Sequence, residues 1–280
     1  ELSMLFSMDK NIKKMKLYEN ASRIFNDLEA IGSSYGSYLD LKVLNKFDQL
    51  HYHGTDSVID CINQLDIKKS DLVLEVGAGW GGPSRFIANK THASVVALEL
   101  QDDYTKVGRT LTERTKLNKS VEHITSDFLE FKNNNKKFDK IVSWLALYHI
   151  PNKRKYSKIL FNLLNKEGKV FIEDLTLGSK HSESDNHMLE EKLFANSLVQ
   201  HKNYSQFMSD AGFKAISVKD MSADWRIFTK ERLENLKLNR ESYIKSHGIK
   251  GYEIIEDFYI TAFSSFDKEI IGGIRLVCEK

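Results

Sequence analysis

Three carboxylates stand at the ends of three successive strand-like runs: Glu75 in LVLEV, Glu99 in VVALE and Asp127 in ITSDF. Directly after Glu75 come Gly77, Ala78, Gly79, Trp80, Gly81 and Gly82. This loop satisfies both G-x-G-x-x-G and G-x-G-x-G, so the glycines alone fit a dinucleotide pyrophosphate and a smaller nucleoside cofactor equally well. Glu75 separates the two. At an effective dielectric of about 20, unit charges about 4 Å apart interact by roughly 4 kcal/mol. A carboxylate just before the loop therefore repels a pyrophosphate, and it attracts an α-ammonium such as that of S-adenosylmethionine. Glu99 lies 22 residues beyond Gly77, where a carboxylate typically accepts ribose hydroxyls. That role is common to both cofactor types. Asp127 follows the third strand, where it can accept a hydrogen bond from an adenine amino group. Glu75 and Asp127 together favour the smaller cofactor.

Positioning three such acids in register requires parallel strands that end at one edge. The sequence supplies them. DLVLEV (71–76), SVVALEL (94–100), SVEHITS (120–126), FDKIVSWL (138–145) and GKVFIEDL (168–175) read as short apolar strands. Helical segments at 81–90, 102–116 and 152–165 separate several of them. This alternation predicts right-handed βαβ units, a parallel sheet covered on both faces, and ligands at the carboxyl ends of its strands. Before the sheet, apolar spacing predicts helices over 9–30, 39–47 and 55–67. Beyond residue 176, helices are expected at 184–198, 204–213, 226–246 and 252–266, with strands at 214–221 and 271–279. The last strand, coming after a helix-rich excursion, is expected to insert beside the others. The fold class is thus α/β, a Rossmann-like sheet with an N-terminal helical lid (1–54) and a main domain (55–280). Cap helices are expected at about 180–200 and 222–266 of that domain.

The 280 residues carry 41 Lys and Arg against 39 Asp and Glu, a net charge of +2 that gives no electrostatic footprint for nucleic acid. No apolar run reaches the roughly 18 residues a membrane helix needs. Cys61 and Cys278 lack metal-type spacing and suit the core of a protein in a reducing, cytoplasmic compartment. His51 and His53 have no third ligand at suitable spacing, so no metal is expected. A small-molecule substrate and a monomeric or homodimeric state are expected. NNNKK at 133–137 reads as a surface loop, and the chain begins at Glu1 rather than Met.

LEVGAGWGG, the acid in ALELQ, the SDF triplet, and VSWLALYHI followed by a helix and GKVFIEDL resemble class I S-adenosylmethionine-dependent methyltransferases. The resemblance spans about 55–280. Within that class, FDQLHYHGTDSV and the closing GGIRLV look most similar to small-molecule N-methyltransferases of the sarcosine/dimethylglycine and phosphoethanolamine types. It implies a seven-stranded sheet with an antiparallel last strand and S-adenosylmethionine as cofactor. Glu75, Gly77, Ala78, Gly79, Gly81 and Ser143 would border its methionine end. Glu99, Leu100 and Gln101 would hold the ribose, and Asp127 with Phe128 the adenine. In phosphoethanolamine methyltransferases a His after the fourth strand works with a Tyr of the lid, which by resemblance makes His149 and Tyr52 the catalytic candidates. An Asp precedes that His by four residues; here Leu145 stands in its place, a departure that weighs against phosphoethanolamine itself.

Methyl transfer from a sulfonium is an in-line displacement. Alignment alone supplies roughly 7–11 kcal/mol, so no dedicated base is required. Trp144 and Tyr148 can wall a pocket for an amine that becomes more cationic, since aromatic faces stabilise such cations by about 0.5–2 kcal/mol. His149 can accept a proton or orient the acceptor. Trp225, after the sixth strand, is expected to border the pocket from the cap. The rival chemistry, C-methylation of a sterol, quinone or other lipid, would call for an apolar cap, whereas 226–246 is rich in charged residues. A binding protein without turnover would not need all three strand-end acids. Nucleic-acid methylation would call for an N/D-P-P-Y-type tetrad where SWLA stands.

Overall fold

The computed structural model describes residues 20–34, 36–132 and 136–280. The helix expected from residue 9 therefore lies partly outside the described residues, as does most of NNNKK. Seven strands form one sheet: β1 (Leu72–Val76), β2 (Ser94–Glu99), β3 (Val121–Thr125), β4 (Phe138–Trp144), β5 (Leu164–Leu177), β6 (Lys214–Asp220) and β7 (Ile271–Glu279). Their order is β3-β2-β1-β4-β5-β7-β6. The first five are parallel, and β7 runs antiparallel between β5 and β6. The last strand thus inserts as its position in the sequence implied.

Helices α1 (Ile24–Ala30) and α2 (Leu41–Leu44) precede α3 (Gly54–Leu65), and α4 (Gly82–Thr91), α5 (Asp102–Arg114) and α6 (Lys153–Leu163) make the crossovers. Beyond β5 come α7 (Asn186–Leu193), α8 (His201–Ala211), α9 (Ser222–Leu238) and α10 (Arg240–Asp267). No helix among the described residues is long and apolar enough to cross a membrane. Leu74, Val96, Ile141, Val170, Ile172 and Ile274 build the core on one sheet face, under α6 and α8. Val73, Val95, Ala97, Val142 and Phe171 build it on the other, with residues of α3 and α4. Both free cysteines are buried in these cores.

Ala21, Ile24, Leu28 and Leu44, from the segment before the sheet, share a cluster with Trp80 and with Tyr104 and Leu111 of α5. The Arg85–Asp48 ion pair, 2.9 Å long and fully buried, locks this segment to α4. The cap breaks differently from the sequence expectation. The polar run expected as one helix over 226–246 divides at Asn239, and α10 carries a non-helical residue at Gly248 (φ 76°, ψ 166°). A positive φ there is open to glycine without strain. The break at Gly248 falls in the gap expected between 246 and 252, whereas the one at Asn239 lies inside a run of charged residues whose pattern does not mark it.

Candidate active site

The site begins where β1 ends. The Gly77 and Ala78 amides both donate to the Leu98 carbonyl at 2.9 Å, folding the glycine loop over the tip of β2. Gly77 has φ 75°, and a Cβ on it would stand 2.2 Å from Ala146 Cβ, so the turn after β4 closes against bare backbone. The Gly79 amide donates to Glu99 Oε2 at 2.8 Å, and the Gln101 amide donates to Glu99 Oε1 at 2.9 Å. Glu99 thereby fixes the loop as well as facing the cavity. Burial raises its pKa, with these amides opposing.

Glu75 is 2% exposed, and its carboxyl accepts from Ser84 Oγ of α4. Burial pushes its pKa up to about 8, against the stabilising Ser84 contact. Asp127 Oδ1 accepts the Leu129 amide at 2.8 Å, an Asx-type turn that fixes the chain after β3. Phe128 is buried beside it.

One cavity of about 220 Å³ unites these residues. Glu75, Gly77, Ala78, Gly79, Glu99, Leu100, Gln101, Asp127 and Phe128 line one part, and Tyr52, Trp144, Tyr148 and His149 line the other. Three candidates stand behind the wall. Ser143 Oγ donates to the Val76 carbonyl at 2.9 Å, tying β4 to β1. Gly81 caps α4 against His123. Trp225 is fully buried, with its ring 5.0 Å edge-on to Tyr52 and packed over Gly273. It backs the Tyr52 side of the cavity.

Trp144 Nε1 donates to Ser57 Oγ, which donates to Glu173 Oε2, each at 2.8 Å. Glu173 pairs at 2.6 Å with Arg275, directly across from it on β7. His51 packs 5.3 Å from the Trp144 ring, and its Nε2 lies 2.9 Å from the Gly54 carbonyl. His53 pairs with Asp224 at 2.6 Å. No group of three or more metal-ligating side chains occurs among the described residues.

His149 is 8% exposed, with Nδ1 2.8 Å from the Phe194 carbonyl. A carbonyl only accepts, so Nδ1 carries the hydrogen and Nε2 the lone pair. Burial drives the imidazole pKa down to about 3. It is neutral throughout the physiological range, and its ring lies 3.8 Å from that of Tyr148. Leu145, where the resembled enzymes carry Asp, lines the cavity with φ 50°, in the left-handed region. Non-glycine residues held there concentrate at functional turns.

The cavity also draws in residues that the sequence reading missed. Ile255, Phe258 and Ala262 of α10 line it at i, i+3, i+7 spacing, an apolar stripe legible in the sequence. The charged cap composition therefore does not weigh against an apolar acceptor, because these side chains face inward. Arg232 of α9 lines the cavity too, donating from Nε to the Tyr259 hydroxyl at 2.8 Å, with its guanidinium 5.2 Å from that ring's centroid. The two residues come from different helices, and no local spacing announces them.

Residues 48–274 match the family described as mycolic acid cyclopropane synthetase. The chain belongs to this family of class I S-adenosylmethionine-dependent methyltransferases. Phosphoethanolamine N-methyltransferase 3 of Arabidopsis thaliana is 26% identical over 202 residues, covering 72% of this chain and 41% of that protein. Sphingolipid C9-methyltransferase of Candida albicans is 26% identical over 232 residues, covering 78% and 45%. The chain thus spans less than half the length of these two relatives. A phosphoethanolamine N-methyltransferase 2 from Haemonchus contortus, solved with phosphomonomethylethanolamine and S-adenosylhomocysteine, superposes with a TM-score of 0.77 at 17% identity. That match covers 83% of this chain and 54% of that one, and it shows the shared fold. S-adenosylmethionine is the family's cofactor, and the cavity offers such a group bare backbone at Gly77 and the acids Glu75, Glu99 and Asp127.

Proposed function

We propose that this chain methylates the nitrogen of a small amine or amino acid, of the sarcosine/dimethylglycine or phosphobase kind. When bound, the cofactor supplies an electrophilic methyl group on a sulfonium. Glu75, Glu99 and Asp127 would hold its ammonium, ribose and adenine, and Gly77 and Gly79 would admit its backbone-hugging part. The observation that carries the reading is the composition of the second half of the cavity, which Tyr52, Trp144 and Tyr148 line together with a neutral His149. Aromatic faces favour a nitrogen that gains positive charge as it is alkylated, by about 0.5–2 kcal/mol. An imidazole with a pKa of about 3 is too weak a base to deprotonate an alkylammonium, whose pKa is about 10. His149 therefore orients the acceptor through Nε2, and the amine enters unprotonated. Arg232, on the same cavity, suits the carboxylate or phosphate that such amines carry.

A second reading, C-methylation of a lipid, draws support from Ile255, Phe258 and Ala262 on the cavity wall and from the sphingolipid-methylating relative. One assay separates the two. S-adenosylhomocysteine release is measured with sarcosine, dimethylglycine, phosphoethanolamine and its methylated forms, and with sterol and sphingolipid dispersions. Turnover with an amine is the expected result. Turnover confined to lipids would replace the first reading with the second, and tight cofactor binding with no turnover on any acceptor would make the chain a binding protein.

A further inference from the structure

Beneath the turn that follows β4 lies a set of buried ionisable groups outside the cavity wall. Lys153 opens α6 and is 3% exposed. A cation at a helix N-terminus opposes the helix dipole, and burial draws its pKa down. Neither local structure nor solvation accounts for a lysine here. Its Nζ donates to the Leu147 carbonyl at 2.8 Å and sits 5.5 Å from the Tyr156 ring centroid. Asp174, fully buried on β5, provides the opposing charge. Its Oδ2 accepts from the Tyr204 hydroxyl of α8, and the backbone amide of Tyr148 favours its charged form.

The Leu147 carbonyl and the Tyr148 amide belong to one and the same peptide unit. That unit is therefore held at its oxygen by the cation, while its amide hydrogen favours the charge of the nearby Asp174. Rotating it would break the Lys153 contact and turn the amide away from Asp174. It would also turn the chain that carries Tyr148 and His149 into the cavity.

We propose that Lys153 and Asp174 are positioning residues for methyl transfer, which lock the Leu147–Tyr148 peptide plane and thereby aim Tyr148 and His149 at the acceptor. The inference rests on reading that part of the cavity as the acceptor site. Removing a single charge would strand the other in the interior, so the decisive variant is the neutral pair Lys153→Met/Asp174→Asn. Amide hydrogen exchange across 145–150 should quicken by roughly ten-fold or more, while calorimetric affinity for S-adenosylhomocysteine stays within about two-fold of the wild type. On whichever acceptor the panel identifies, kcat should fall by roughly ten-fold or more, with KM changing far less. Unchanged exchange in that segment, an equal loss of cofactor affinity, or kcat within about two-fold of wild type would each overturn the proposal. If no acceptor turns over, the exchange and calorimetry arms still decide whether the pair holds the turn, separately from the proposed function.

Discussion

Glu75 sits in a paradoxical state before any ligand arrives. A carboxyl with a pKa of about 8 is mostly protonated at neutral pH, yet the ammonium it is suited to hold needs the carboxylate. With Glu75 in its proposed role, ligand binding releases a proton. The sign follows from linkage: the ligand-free pKa lies above the ligand-bound one, so affinity rises with pH until about 8 and then levels. S-adenosylhomocysteine affinity should increase by roughly ten-fold between about pH 6.5 and pH 8, and this slope should vanish in Glu75→Gln. Titration calorimetry in buffers of different ionisation enthalpy checks both the slope and the proton count. Glu99 carries a different load, because its two oxygens already hold the Gly79 and Gln101 amides. Glu99→Ala should weaken S-adenosylhomocysteine by 1.5–3 kcal/mol, about ten-fold or more; unchanged affinity would remove it from the site. His149→Ala, by contrast, should depress kcat while leaving cofactor affinity nearly intact, and an equal fall in both would reduce His149 to a packing residue.

Among elements, the loop after β1 and the turn after β4 behave as one piece. Gly77 and Ala146 are so close that any side chain at Gly77 must displace the β4 turn. Gly77→Ala is expected to abolish measurable cofactor binding by calorimetry while the far-UV spectrum stays native, because the clash is confined to the loop. These parts were legible in the sequence for a physical reason. A buried parallel strand needs a short apolar run, and an acid at its end interrupts that run visibly, as Glu75 and Glu99 do. The stripe of Ile255, Phe258 and Ala262 was legible as well, but it lies outside the charged run 226–246 on which the cap was judged. What the sequence hid were partnerships between distant side chains. Arg232 meets Tyr259 across two helices, and the break at Asn239 falls inside a segment expected as one helix. Trp225 shows the opposite failure: a large aromatic near the site in sequence lies behind the cavity wall, because Gly273 gives its ring a place to pack.

At the scale of the whole molecule, the segment before α3 is joined to the sheet domain by a buried charge pair. Asp48 and Arg85 are both inaccessible, and Arg85 also donates to the Trp80 carbonyl beside the glycine loop at 2.7 Å. Asp48→Ala strands the guanidinium, a loss of about 3–5 kcal/mol. The melting temperature should fall by roughly 10 °C in a molecule of this size. A saturating concentration of S-adenosylhomocysteine should recover part of that loss in a thermal-shift measurement, since a ligand that binds the native state stabilises it by mass action. The position of β7 has a separate consequence. It is the last strand in sequence, yet it lies inside the sheet, and its Arg275 braces the Glu173–Ser57–Trp144 chain that ends at the cavity. During synthesis on the ribosome, the glycine loop and its three acids emerge early. The slot between β5 and β6 stays open until Ile271–Glu279 has emerged. A nascent chain stalled before residue 271 thus has the glycine loop and the strand-end acids but no Arg275 to brace Trp144 through Glu173 and Ser57.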